Sequence, residues 1–305
     1  MKRKVVQQGP ATLMVSLPSK WVKANNISKG DELEVTEDGK ELGISVKPHE
    51  EYQKIDIKIE SGNEWYISQV IRNLYLAGFD EIIANFDDKE TITKIQDIVH
   101  LLLGFVIIEQ KDYSCVIKNL STGVEKELDN LLRKIFLLTK SVFEVAIDQL
   151  KNKDLNVQRI KDLRDNVHRF SNLYRRTITK KNIYGLIQNR AIFIILTRIM
   201  MICNNVVYAH NYLNKKKKLP SLKPSINYLK KTSNLYDIFY DIFFSKKFER
   251  LAEIHEIRHD LINNEFVSIA ESMKGENVVV CHYYAEIVRL IATNGGAMVK
   301  YHFSQ

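Results

Sequence analysis

Residues 15–35 read VSLPSKWVKANNISKGDELEV. Together with the flanking ATLM, the opening residues alternate as a strand does. SKWVKANN then has the composition of a short helix, with Ser19 placed as its N-cap. ISKGDELEVTEDGKELGISVK continues as a turn at Gly30-Asp31, a strand, a turn at Asp38-Gly39 and a second strand. A strand, one short helix and a hairpin in about fifty residues bury too little apolar surface to stand alone comfortably, and a dimer removes that difficulty.

Charge singles out the same stretch. The chain of 305 residues carries a net +8 at pH 7, which favours an anionic partner without naming it. Residues 1–30 hold Lys2, Arg3, Lys4, Lys20, Lys23 and Lys29 and no acid, the first being Asp31. Lys and Arg on a small domain, with Gln7, Gln8, Thr12 and Ser16 between them, are the groups that reach a phosphate backbone. A solvated basic face is the plain alternative.

Beyond Glu50 the pattern changes twice. KIDIKIE alternates strictly, with Ile55, Ile57 and Ile59 on one face. NEWYISQVIRNLYLAGF reads as a helix closed at Gly78, EIIANF as a strand, KETITKIQDIVHLLLG as a helix, and FVIIEQ and SCVIKNL as strands. This is a small α/β unit. From Ser121 onward the chain is helical throughout. Apolar stripes run Leu128–Leu150, Ile160–Thr177, Ala191–Leu213, Tyr228–Phe244, Leu251–Ala270 and Tyr283–Val299. The Lys215–Lys218 run with Pro220 and Pro224 divides them into two sets of three. The most apolar stretch, Ala191 to Ala209, is broken by Arg198, Asn204 and Asn205 and is expected to be a buried helix, not a membrane span. Cys115, Cys203 and Cys281 are far apart and form no CxxC, which argues against disulfide and cysteine–zinc frameworks. With no apolar region after the basic N-terminus, a cytoplasmic protein is expected.

Val15, Leu17, Pro18, Lys20, Trp21, Gly30, Asp31 and Val35 resemble the AbrB/SpoVT-type DNA-binding domain, a swapped-hairpin β dimer. RNLYLAGFDEI and LLLGFVIIEQ look like the middle region of archaeal phosphate uptake regulators, which join such a head to a PhoU-like helical domain in the same order. The resemblance implies an α+β chain of three parts: an AbrB-like DNA-binding and dimerisation head (1–50), a small α/β domain (51–120), and a PhoU-like pair of three-helix bundles (121–305). It further implies a transcriptional regulator of phosphate uptake whose helical part senses a metal, a ligand or a partner. DNA contacts are assigned to Lys2, Arg3, Lys4, Ser16, Lys20 and Lys23. A second reading has the helical part dock on a phosphate transporter or sensor kinase while the head only dimerises.

Members of that family place acidic E/D-x-x-x-D pairs and Arg-x-x-Asp motifs on the bundle helices, where some bind metal clusters. Here the first acidic pair falls on Arg164 and His168. Arg198 is followed by Met201, and Arg289 by Ala292, where the family has Asp. Only Glu256 and Asp260 are retained, a half-site for at most a weakly bound divalent metal.

Those two carboxylates lie inside HEIRHD, residues 255–260, which has the His-Glu-x-x-His spacing of zinc peptidases. Such a site needs a third ligand, and none follows in context. Ile254, Ile257 and Leu261 form the apolar stripe, so His255 and His259 are expected on a solvated face, and the metalloprotease reading is the remote one. Asp237 and Asp241 are read as a solvated pair. Gly295-Gly296 either allows close helix approach or ends a helix. Met200, Met201 and Met273 are read as core filler. No phosphate-cradling glycine loop and no nucleophile with a base is evident, and the chain is not expected to be an enzyme.

Overall fold

The computed structural model describes residues 2–38, 41–46, 52–121, 123–181, 183–217, 219, 221–272 and 275–303. Gly39 of the second turn, Lys218, Pro220 and Met273 fall outside the described residues. The chain divides into two compact units, Met1–Glu51 and Tyr52–Gln305.

In the first unit, β1 (Val5–Gln7) pairs antiparallel with β2 (Leu13–Val15), in the register Val5↔Val15 and Gln7↔Leu13. The short helix α1 (Ser19–Ala24) follows, and then β3 (Leu33–Asp38) pairs antiparallel with β4 (Glu41–Val46). Ser19 is not the N-cap. Pro18 is, and it makes no side-chain capping bond. Its carbonyl accepts from Val22 N at 3.0 Å, and its fixed φ pre-sets the helix entry. Gly30 sits at φ +100° in the turn before β3, a backbone region other residues rarely adopt. Among the described residues of this unit none is buried. Val5, Leu13, Val35 and Leu42 are each more than half exposed.

The second unit opens with a four-stranded sheet of order β5-β6-β8-β7. Its strands are β5 (Lys54–Ile59), β6 (Glu81–Phe86), β7 (Phe105–Lys111) and β8 (Ser114–Asn119). β5 and β6 are parallel, joined by α2 (Glu64–Ala77), and the other pairings are antiparallel. Asn63 caps α2 by accepting from Tyr66 N, and Gly78 ends it at φ +102°. Ile67, Ile71 and Tyr75 of α2 and Ile95, Ile98 and Val99 of α3 (Thr91–His100) share one core with Ile82, Ala84, Phe86, Cys115 and Ile117 of the sheet.

A second, larger core is helical. It is built by α4 (Leu128–Asn152), α5 (Val157–Lys181), α6 (Leu186–Asn214), α7 (Lys223–Ser245), α8 (Leu251–His259), α9 (Val267–Ser272) and α10 (Glu276–Phe303). A π-helical stretch, Asp260–Phe266, links α8 to α9. Tyr228 of α7 donates its hydroxyl to the Leu261 carbonyl in this stretch at 2.9 Å. α6 lies along α10, and its most apolar window is 56% buried, as a core helix is. Met201 is not core filler: it is exposed on α6, whereas Met200 is buried. α10 runs through Gly295-Gly296 without ending. The three thiols are free and buried, and burial pushes each above its usual pKa.

The two cores meet where α2 packs on α5. Arg176 of α5 donates to the Tyr75 carbonyl at 2.5 Å and to Asp80 at 3.1 Å, and its guanidinium lies over the Tyr75 and Phe105 rings. Lys180 also bonds Asp80. Phe193 of α6 packs against the α/β core. Residues 52–121 and the helices after them thus form one compact body with two apolar centres.

Candidate nucleic-acid interface

The β1–β2 ladder determines how the N-terminal cations are placed. It ends at Val5↔Val15, so Lys4 and Ser16 are the next residues outward at its open end, with Arg3 and Lys2 beyond. At the other end Gln8 N donates to the Thr12 carbonyl at 2.8 Å and closes the turn. On α1, Trp21 and Val22 are half-buried while Lys20 and Lys23 are exposed. The helix therefore turns its apolar side inward and presents two ammonium groups three residues apart on its outer side.

Lys2, Arg3, Lys4, Ser16, Lys20 and Lys23 are all exposed. Among the described residues none of these cations is paired with a carboxylate. The acids of the unit lie later: Asp31 accepts from Ser28 N at 2.7 Å and is occupied in shaping its turn. A small surface of unpaired Lys and Arg, with hydroxyl and amide groups between them, is suited to phosphate oxygens spaced along a duplex.

The HEIRHD stretch is placed quite differently. His255, Glu256, His259 and Asp260 are exposed on α8 and at the start of the π-helical stretch, and Ile254 is buried. Glu256 and Asp260 line a groove with Lys230, Lys231 and Asn234 of α7. Asp260 Oδ1 accepts from Asn264 at 2.9 Å, and Lys231 pairs with Glu265 at 2.6 Å. Two lysines facing two carboxylates oppose a dication. Among the described residues no group of three His, Cys, Asp or Glu side chains is close enough to hold a metal ion.

The other positions where the resemblance places metal ligands do not fit a metal either. Arg164 pairs with Asp165 at 2.7 Å, and His168 Nε2 lies 3.3 Å from the Met200 carbonyl. Arg198 donates to the Thr293 carbonyl at 2.7 Å, and Arg289 bonds Glu286. Asp237 is paired with Lys140 at 2.9 Å.

Sequence reading missed β1, whose only signal is the pair Val5-Val6 before the Gly9-Pro10 turn, and with it the adjacency of Lys4 and Ser16.

Residues 6–53 match the family described as antidote-toxin recognition MazE, bacterial antitoxin. No curated protein matches the chain. The match covers the unit in which VSLPSKWVKANNISKGDELEV lies and supports an AbrB/MazE-type head. It does not reach the sheet and helices that follow.

Proposed function

We propose that this chain is a cytoplasmic DNA-binding regulator that acts as a homodimer through its first unit. The observation that carries the reading is that this unit has no buried residue among those described, while its cations are exposed and unpaired. The apolar strands call for a second copy, and the cations call for a polyanion. The likeness of residues 6–53 to an AbrB/MazE-type domain supports both halves, because domains of this type bind DNA and dimerise. The finer assignment we propose is to the regulators of phosphate uptake, with the helical part, which the resemblance makes PhoU-like, carrying the signal. It rests on the order of the segments and on the RNLYLAGFDEI and LLLGFVIIEQ stretches.

Genomic DNA recovered with the purified protein and sequenced tests the proposal. Enrichment of a small set of promoters is expected, those of phosphate transporters among them. Recovery of no DNA above a control lacking the protein would leave the head as a dimerisation device only, with the helical part docking on a transporter or kinase.

The description of the matched family favours a second reading, in which the head belongs to an antitoxin that recognises a toxin protein. Co-purification of a small protein whose release restores its toxicity would favour that reading over promoter control.

A further inference from the structure

The polar stripe of α5 contrasts with the satisfied junction beside it. Arg176 and Lys180 share Asp80. Arg164, His168, Ser171 and Arg175 lie three to four residues apart, or multiples of that, and so share one side of the same helix. α2 packs on α5, and Arg72 of α2 is close enough for its charge to disfavour protonation of His168 and Arg175, as the charge of Arg164 does for Arg72 itself.

The partners of these groups are few. Arg72 donates to Ser68 Oγ at 2.7 Å. Arg175 is 7% exposed, and its polar contacts are Asn172 Oδ1 at 3.4 Å and Met200 Sδ at 3.6 Å, both long for a buried charge. Its Nε and the Ser171 hydroxyl are buried without any partner. Among the described residues neither Arg72 nor Arg175 has a carboxylate within ion-pair distance. Asp165, next to Arg164 in the chain, is taken by it at 2.7 Å.

Packing alone does not account for this. The Arg175 guanidinium lies 3.8 Å from the Phe193 ring centroid, and stacking engages the face of the ion. Its Nη1 is held by the long contacts to Asn172 and Met200, but its Nε has no partner, and a guanidinium edge with an unspent N–H is what binds planar or tetrahedral oxyanions. Burying like charges together without counter-charge is costly unless something anionic completes them. Arg72 is half-buried and the Arg164 side chain is 24% exposed, whereas Ser171 and Arg175 are buried, so the stripe grades from a wetter to a drier end. Two of these positions, 164 and 168, are those where the resemblance expects carboxylates for a metal. Position 164 carries a cation instead, and the buried imidazole at 168 is held neutral, so neither supplies a carboxylate for a cation.

We propose that Arg72, Arg164, His168, Ser171 and Arg175 form a binding site for a phosphate-class oxyanion at the junction of the α/β part with the helices. Arg72 and Arg175 supply guanidinium donors without a carboxylate of their own, the Ser171 hydroxyl supplies a neutral one, and Arg164, paired with Asp165, adds positive potential at the wetter end. The site lies wholly within the second unit, so it stands or falls independently of DNA binding by the first.

Melting of the full chain is followed at constant ionic strength while sodium chloride is replaced by inorganic phosphate, by sulfate or by glycerol phosphate, with calorimetric titration of each. A saturable rise in Tm with phosphate is expected, absent with chloride. A response to free phosphate stronger than to glycerol phosphate assigns the site to the free ion, and the reverse order assigns it to a monoester. Arg72→Gln and Arg175→Met are each expected to weaken binding about tenfold or more, the loss of a charge-assisted pair of bonds. Arg133→Gln, on α4, should leave binding unchanged. Arg175→Met is also expected to melt higher than the wild type without phosphate, because it removes a buried unpaired charge. Should that variant fail to fold, Arg72→Gln decides alone, its side chain being partly solvated. The proposal is overturned by the absence of any saturable response to millimolar phosphate, or by Arg72→Gln binding phosphate as tightly as the wild type.

Discussion

Asp80 and Arg176 form a buried ion pair at 3.1 Å, with side chains 7% and 4% exposed, and Lys180 bonds the same carboxylate. Asp80 also accepts from Gln53 N at 3.0 Å. One carboxylate therefore ties the start of the sheet to the C-terminal end of α5. Asp80→Ala strands a buried guanidinium, at an expected cost of about 3–5 kcal/mol, the range for removing one partner of a buried pair. Asp80→Leu combined with Arg176→Met should recover most of that loss, since neither charge is then left behind. Urea denaturation measures both. A single variant within about 1 kcal/mol of the wild type would mean that the pair does not hold the two cores together.

Acid should unfold this protein early. His168 is pushed down from its ordinary 6.5 to about 3, first by burial and then by Arg164, and burial also lowers His210. Between those two values the unfolded chain binds a proton at position 168 that the folded chain does not. Stability is therefore complete above about pH 6.5 and falls as the pH is lowered toward 3. The loss from His168 reaches about 2 kcal/mol near pH 5, at roughly 1.4 kcal/mol per pH unit. Denaturation in buffers free of phosphate and sulfate at pH 7 and pH 5 gives the difference. His168→Gln should remove a large part of it, and equal pH dependence in the variant would place the acid sensitivity elsewhere.

Periodicity carried most of this fold and little of its sites. Ile55, Ile57 and Ile59 alternate because one face of β5 meets a core, and the α5 stripe from Ile160 to Thr177 repeats because a helix packs along it, so both could be read from spacing. The three residues of β1 are too few to establish a period, and its pairing depends on a turn five residues long. The cap at Pro18 was misplaced by one position because serine is the commoner cap and the proline carbonyl serves without any side chain. Met201 was misread because α6 is apolar on more sides than it buries. Arg72 and Arg175 were illegible for a different reason. What sets them apart is that among the described residues no carboxylate pairs with either, and that is a property of how α2 meets α5, not of either segment alone.

The HEIRHD stretch should bind no catalytic zinc. Its histidines are exposed on one turn of α8, and the neighbouring groove brings Lys230 and Lys231 against Glu256 and Asp260. A catalytic zinc needs three protein ligands and an open position for water. Elemental analysis after dialysis against chelator is expected to find no stoichiometric metal, and peptidase assays with added zinc no activity. Zinc that survives chelator and disappears in His255→Ala would restore the motif to consideration.

The first unit should be held together by a second copy. Leu13 is 70% exposed and Val5 64%, and in a monomer a charge at such a position changes stability by no more than about 0.5 kcal/mol. At a strand-exchanged interface it would bury an unpaired carboxylate. Leu13→Asp is therefore expected to convert the full chain from dimer to monomer in sedimentation at micromolar concentration. A wild-type chain that sediments as a monomer would remove the need for a partner.

DNA binding, finally, should depend on salt in proportion to the cations engaged. Each phosphate neutralised contributes about −0.9 to the slope of log affinity against log salt concentration. Lys2, Arg3 and Lys4 continue the open end of the β1–β2 ladder and are exposed and unpaired. Changing all three to Ala should flatten the slope by about 0.9 for each side chain that touches a phosphate, counted once per subunit of the dimer. Affinity should fall for every sequence alike, since backbone contacts carry no sequence information. Ser16→Ala, which removes a neutral donor beside Lys4, should lower affinity while leaving the slope intact, because no counterion is released by a hydroxyl. Fluorescence anisotropy with a specific and a scrambled duplex across a salt series separates the two effects. A triple variant with the wild-type slope would move the interface off this end of the ladder, leaving Lys20 and Lys23 of α1 as the cations to test next.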